Sequence, residues 1–192
     1  MKKIEWPSGA IVNQEGYPMK IPYRILCVCM GNVCRSPTAE AVLKRLLSDS
    51  DLRGRIEVAS AGTHGYRVGE ASDARIQRIA WARGYDLSQI RAQKIGWQDL
   101  DCFDLILAMD KSNFYNLRRM ATEAQQGKTR LLMDYATTFD EDEVPDPYTA
   151  LGQSFERTLD MIEDAAKGVV ERLKTEIGAE VKVIRLPART GS

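Results

Sequence analysis

Cys29 and Arg35 stand six positions apart in Cys29-Met30-Gly31-Asn32-Val33-Cys34-Arg35-Ser36-Pro37, directly after the apolar run Ile25-Leu26-Cys27-Val28. A thiol and a guanidinium so spaced, on a loop that opens a helix, describe a phosphate-binding nucleophile loop. The backbone N–H groups between them can curl into a cradle for oxyanions, and the helix N-terminus adds about half a positive charge behind it. Arg35 closes the ring with a planar fork that can bind two phosphoryl oxygens and keeps its proton at working pH. The same field favours the ionised form of a thiol beside it, which is the nucleophilic form. Asn32 tolerates left-handed backbone geometry, and Ser36 offers a hydroxyl to the sulfur. Cys29 and Arg35 are therefore the expected chemical groups, with Met30, Gly31, Asn32, Val33, Cys34 and Ser36 around the bound phosphate. A bare Cys-x5-Arg arises by chance in many chains, with the thiol packed and the cation solvated; its position between strand and helix sets this one apart.

The elements that must hold this loop are legible as an alternation. Strands are expected near Arg24–Val28, Ile56–Ser60, Leu105–Met109 and Arg130–Met133, with helical segments between them. After the helix-entry pair Ser36-Pro37, the residues Ala39, Val42, Leu43, Leu46 and Leu47 share one helical face. Ile76, Ile79 and Ala80 mark a second helix within 71–83 that ends at Gly84. Phe155, Leu159, Ile162, Ala166, Val169 and Leu173 mark a long terminal helix. The pattern predicts a single three-layer α/β domain, a central parallel four-stranded sheet flanked by helices. In such open sheets ligands bind beyond the carboxyl ends of the strands where strand order reverses, which is where the loop after the first strand lies.

A second chemical segment, Val144-Pro145-Asp146-Pro147-Tyr148, lies far downstream. Asp146 is the candidate general acid. The preceding run Asp140-Glu141-Asp142-Glu143 reads first as a solvated loop, but negative charge so close would help Asp146 hold a proton.

From about Arg24 to about Leu173 these motifs, in this order, resemble the low-molecular-weight protein tyrosine phosphatases. The resemblance implies a flavodoxin-like fold and hydrolysis of protein phosphotyrosine through a cysteinyl-phosphate intermediate, without a cofactor. It implies that Ser60-Ala61-Gly62-Thr63-His64-Gly65-Tyr66-Arg67-Val68-Gly69 is a substrate-wall loop, that Tyr66 and Tyr148 flank the substrate ring, and that Cys34 protects Cys29 as a disulfide partner. Asp110-Lys111-Ser112-Asn113 also matches. Two departures stand out. Thr149 replaces a second tyrosine, and Ile90-Arg91-Ala92-Gln93-Lys94 replaces a segment that usually begins with histidine, so a hydrogen-bonding partner of the nucleophile loop is expected to be missing. Three rivals stand beside this reading. An arsenate reductase of the same fold needs additional cysteines; a protein-arginine phosphatase typically carries threonine at the Val33 position; a silent phosphopeptide-binding module would not need Cys29, Arg35 and Asp146 together.

Composition narrows the rest. The chain has 192 residues with 27 basic and 27 acidic side chains, so bulk charge gives no reason to expect nucleic acid or an acidic membrane surface as partner. No run approaches the ~18 apolar residues of a membrane helix, and Lys2-Lys3 leads into no signal-type core. A cytoplasmic, monomeric enzyme with at most weak self-association is expected. Four cysteines, three of them within eight residues, suit a reducing compartment rather than a disulfide framework. Cys29 and Cys34 have zinc-like spacing, but a closed site would need two more ligands, so no metal is expected. Cys27 and Cys102 read as packing residues. The phosphatase domain is placed at 23–177, between an unmatched N-terminal extension, 1–22, and an unmatched tail, 178–192.

Overall fold

A computed structural model describes residues 22–149 and 154–178. The expected extension and tail lie, save for Pro22 and Gly178 at their inner ends, outside the described residues. Four strands, β1 (Tyr23–Cys29), β2 (Ile56–Gly62), β3 (Leu105–Ala108) and β4 (Thr129–Leu131), form one parallel sheet in the order β2-β1-β3-β4. The helices are α1 (Arg35–Ser48), α2 (Ala74–Ala82), α3 (Asp99–Cys102), α4 (Lys111–Met120), α5 (Glu123–Gln126) and α6 (Phe155–Gly178), with a 3-10 turn at Leu132–Tyr135.

Strand alternation divides the core into two layers. Ile25, Cys27 and Cys29 of β1 pack with Val42 and Leu43 of α1 and with Leu159, Ile162 and Val169 of α6. Leu26 and Val28 face the other way, toward Leu100 of α3 and Leu117 of α4. The helical faces read from sequence are these buried ones; Leu46 and Phe155 pack at the edges.

Several boundaries and one burial differ from expectation. β1 and β2 run one and two residues further, so that Cys29, the last residue of its strand, pairs with Gly62. The strand expected at Arg130–Met133 stops at Leu131, because the Asp134 side chain accepts the Leu131 N–H at 3.2 Å and winds the chain into the 3-10 turn. α2 starts only at Ala74, where Asp73 caps it by accepting the Arg75 N–H at 2.8 Å, and the chain leaves it through Gly84 at φ +84°. Cys102 is exposed rather than packed: the four-residue α3 buries one side, and Leu100 fills it.

α6 lies so close to the 3-10 turn that a Cβ at Gly168 would meet the Tyr135 carbonyl oxygen. Asp164 of the same helix accepts four hydrogen bonds from the N–H and hydroxyl groups of Thr137 and Thr138. These contacts fasten the start of the segment that carries Asp146 over the sheet.

Candidate active site

The strand order reverses between β1 and β3, and the loop from Met30 to Cys34 sits there, at the carboxyl end of β1. Its shape follows from where its carbonyls go. Cys29 C=O accepts from Thr63 N–H at 2.9 Å, Met30 C=O from His64 N–H at 3.0 Å, Val33 C=O from Asp73 N–H at 2.8 Å and Cys34 C=O from Thr38 N–H at 3.1 Å. In a trans peptide the following N–H points opposite its carbonyl, so the amides of Met30, Gly31, Cys34 and Arg35 turn inward. Asn32 supplies the reversal, with φ +54°. Gly62 makes room for it: a Cβ there would lie 2.7 Å from the Met30 carbonyl oxygen.

A hydrogen-bond relay fixes the thiol. Cys29 Sγ lies 3.0 Å from Ser36 Oγ and accepts the Asn32 N–H at 3.3 Å. Asn32 Nδ2 donates to both Ser36 Oγ and Ser60 Oγ at 2.9 Å, and Ser60 Oγ donates to Glu40 Oε2 at 2.6 Å. Since Ser36 already accepts from Asn32, its own proton is left for the sulfur or for the Ala61 carbonyl at 3.2 Å. Asn32 and Ser36 are fully buried and do not line the cavity. The expectation of a missing loop partner is corrected. Gln93 donates its N–H to Asn32 Oδ1 at 2.9 Å and its Nε2 to the Ser60 carbonyl at 2.7 Å, so every polar group of the Asn32 side chain is engaged despite Ile90.

Arg35 opens α1 with its side chain buried and its fork aimed at two carboxylates. Nη1 donates to Asp110 Oδ2 at 2.7 Å and to the Val144 carbonyl at 3.1 Å, while Nη2 donates to Asp146 Oδ2 at 3.0 Å. Burial alone would weaken its hold on the proton; Cys29, Asp146 and Asp110 together more than offset that and push the guanidinium up. Asp110 is itself fixed as the N-cap of α4, accepting the Asn113 N–H at 2.6 Å. The acid segment is docked by Val144 N–H on the Met109 carbonyl at 2.8 Å. In the acidic run before it, Asp142 and Glu143 pair with Lys111, and Glu141 pairs with Arg157.

Cys34 is buried, and that burial, with Cys29 beside it, pushes its thiol up.

An open cavity of about 290 Å³ stands over the loop, lined by Cys29, Met30, Gly31, Val33, Cys34 and Arg35 below, and by Tyr66, Arg67, Asp146, Tyr148 and Thr149 at its sides. Tyr66 overlies Gly31, where a Cβ would lie 3.3 Å from the Tyr66 hydroxyl. Sequence reasoning missed Glu40, Ser60, Asp73 and Gln93. The sole signal for Asp73 was its type, a capping residue ahead of a helix; the others meet the loop only through the fold.

A thiol at a strand end, an amide cradle and a buried arginine on a flavodoxin-like sheet define a cysteine-based phosphoryl-handling protein. The family model for low molecular weight phosphotyrosine protein phosphatase matches residues 24–179, and the chain belongs to that family. The low molecular weight protein-tyrosine-phosphatase of Streptomyces coelicolor is 37% identical over 159 residues, 81% of this chain and 96% of the relative. YfkJ of Bacillus subtilis, of the same description, is 35% identical over 152 residues, 79% of this chain and 96% of the relative. Its crystal structure superposes with a TM-score of 0.75, covering 80% of this chain and 95% of that one. A protein tyrosine phosphatase of Entamoeba histolytica, solved with Hepes in the active site, gives a TM-score of 0.76 at 35% identity, covering 80% and 97%. Among the described residues no helix is long and apolar enough to cross a membrane.

Proposed function

We propose that this enzyme hydrolyses phosphotyrosine on protein substrates by two in-line displacements through a cysteinyl-phosphate intermediate. The observation that carries the reading is the convergence of Cys29, Arg35 and Asp146 on one cavity, from segments more than a hundred residues apart. Cys29 Sγ attacks phosphorus as the bond to the phenolic oxygen breaks. The inward amides and the Arg35 fork hold the equatorial oxygens, a preorganised electrostatic contribution. Nη2 of Arg35 is paired with Asp146; an incoming phosphoryl dianion competes for that donor and frees the carboxyl for the leaving oxygen. Asp146 gives its proton to the phenolate, then takes one from the water that breaks the S–P bond and releases orthophosphate. Tyr66 and Tyr148 form the walls for the ring, and Thr149 leaves the rim more polar on one side.

The test is turnover of a chromogenic aryl phosphate by the wild type and by Cys29→Ser. The variant is expected to lose hydrolysis altogether while still binding inorganic phosphate and unfolding at a similar temperature. Appreciable turnover by Cys29→Ser rules out the cysteinyl-phosphate path. The same variant used as a trap on cell extract identifies the phosphotyrosine proteins it holds.

A further inference from the structure

The cavity wall has a support that the chemistry above does not use. Asp73 does not line the cavity, yet it touches both loops that do. Its backbone N–H donates to the Val33 carbonyl of the nucleophile loop at 2.8 Å, and its Oδ2 accepts the Tyr148 hydroxyl at 2.6 Å. Arg75 binds the same carboxylate, through its N–H and Nε to Oδ1 at 2.8 and 3.0 Å and through Nη2 to Oδ2 at 2.9 Å. The Arg75 guanidinium in turn lies 5.0 Å from the Tyr148 ring centroid and 4.4 Å from that of Phe155, the first residue of α6. Tyr148 and Phe155 meet edge to face at 5.6 Å. Tyr148 also donates its N–H to Asp146 Oδ1 at 3.1 Å, so a shift of this ring is felt by the acid.

We propose that Asp73 is the positioning residue of the ring-binding slot, tying Tyr148 to the nucleophile loop so that the slot's width over Cys29 is set by one carboxylate that contacts neither phosphate nor ring. This rests on the phosphotyrosine reading above. A phenol donating to a carboxylate is a charge-assisted bond, stronger than one between neutral groups. Without it the Tyr148 ring keeps Arg75 over its face and the edge contact with Phe155, which fix its height more than its rotation. Burial and Asp73 both push the Tyr148 phenol up, keeping the proton on the donor side of that bond. A helix cap alone would need only the Arg75 N–H. The second oxygen of Asp73, shared by the Tyr148 hydroxyl and Arg75 Nη2, is what assigns it the further task.

Two ligands separate positioning from mere structure: benzylphosphonate, which carries a ring, and inorganic phosphate, which does not. Asp73→Asn retains the N–H to Val33 and a capping oxygen for α2. Measured by calorimetry, it is expected to weaken benzylphosphonate by about 3- to 10-fold while phosphate changes by less than about 2-fold, the range of one lost hydrogen bond. Tyr148→Phe, which keeps the ring, is expected to do the same, and the double variant is expected to be no weaker than either single one, because both remove one bond. Equal weakening of both ligands by Asp73→Asn, or additive losses in the double variant, overturns the proposal. If Asp73→Asn does not fold, Tyr148→Phe decides alone, and unchanged benzylphosphonate affinity overturns it. A wild type that binds neither ligand overturns both readings; one that binds both without hydrolysing aryl phosphates ends the catalytic reading and leaves this one standing.

Discussion

The floor and the wall of the cavity are built on different physical plans. The floor is closed: Asn32 is 1% exposed, Ser36 and Arg35 are buried, and each loop carbonyl that turns outward has a named donor. The wall is open, with Tyr66 61% and Tyr148 46% exposed, and it is held by a few contacts at its back. The comparison separates two tasks. Stabilising a charge that develops on phosphorus needs dipoles already in place, since reorienting them during the reaction would cost the barrier they are meant to lower. Holding a flat ring needs only a slot of the right width, which tolerates solvent. Changes to the floor should therefore act on kcat, and changes to the wall on substrate preference.

Beyond Cys29→Ser, the largest effect is expected at the one wall residue to which the proposed mechanism gives chemistry. Asp146→Ala should lower kcat for phosphotyrosine by about 10²–10⁴, the contribution of a positioned general acid. The loss should shrink for nitrophenyl phosphate, whose leaving group departs with little protonation. A loss of equal size for good and poor leaving groups would move the acid to another residue. Next comes a floor variant that touches no reacting atom. Gly62→Ala drives a Cβ to 2.7 Å from the Met30 carbonyl oxygen and 3.2 Å from the Asn32 nitrogen, both backbone atoms that cannot step aside alone. Misplacing the cradle in this way should lower kcat by about 10²-fold with a smaller change in KM. An unchanged kcat would mean that the floor is looser than its hydrogen bonds imply, and the contrast with the wall would lose its basis.

The floor was far more legible in sequence than its supports. Cys29 to Pro37 is contiguous, so residue type and spacing alone carry it, and the flanking apolar periodicities gave the sheet and both principal helices. Glu40, Ser60, Gln93 and Asp73 come from four different segments and act only because β1–β2 pairing and the α2 entry bring them to the loop. No local pattern announces such a partner. The acidic run shows a related point: charge counted along the chain does not reveal that Lys111 and Arg157, distant in sequence, pair with it in space. Cys102 misled because a four-residue helix has room to bury one side only.

The two cysteines of the floor sharpen the contrast within one loop. Both are buried, but Cys29 meets a hydroxyl and an N–H, whereas the Cys34 thiol is pushed up by its burial and by Cys29 beside it, so Cys34 is the poorer nucleophile at rest. Cys34→Ser should accordingly leave resting turnover nearly unchanged. Under mild peroxide the roles differ: oxidised Cys29 should be captured by Cys34, and the wild type should regain activity with dithiothreitol. Cys34→Ser should lose activity irreversibly, as an uncaptured sulfenic acid proceeds to sulfinic acid. Equal recovery of parent and variant would show that Cys34 only packs.

The smallest effect belongs to the residue where floor meets wall. Val33 lines the cavity while its carbonyl is tied to Asp73, so its backbone is fixed and its side-chain chemistry is what can vary. Valine offers the ring of a phosphotyrosine an apolar face and offers a phosphoarginine guanidinium no acceptor, and the two tyrosines add stacking of about 0.5–1.5 kcal/mol. The kcat/KM for a phosphotyrosine peptide should exceed that for a phosphoarginine peptide by at least about tenfold, or ~1.4 kcal/mol of transition-state binding. Val33→Thr exchanges a methyl for a hydroxyl at almost constant volume, and it should narrow that gap without lowering kcat for aryl phosphates. If the gap stays fixed, preference is set by Tyr66 and Tyr148 alone. If kcat falls as well, the hydroxyl has disturbed the amide cradle, and floor and wall are one unit at this residue rather than two.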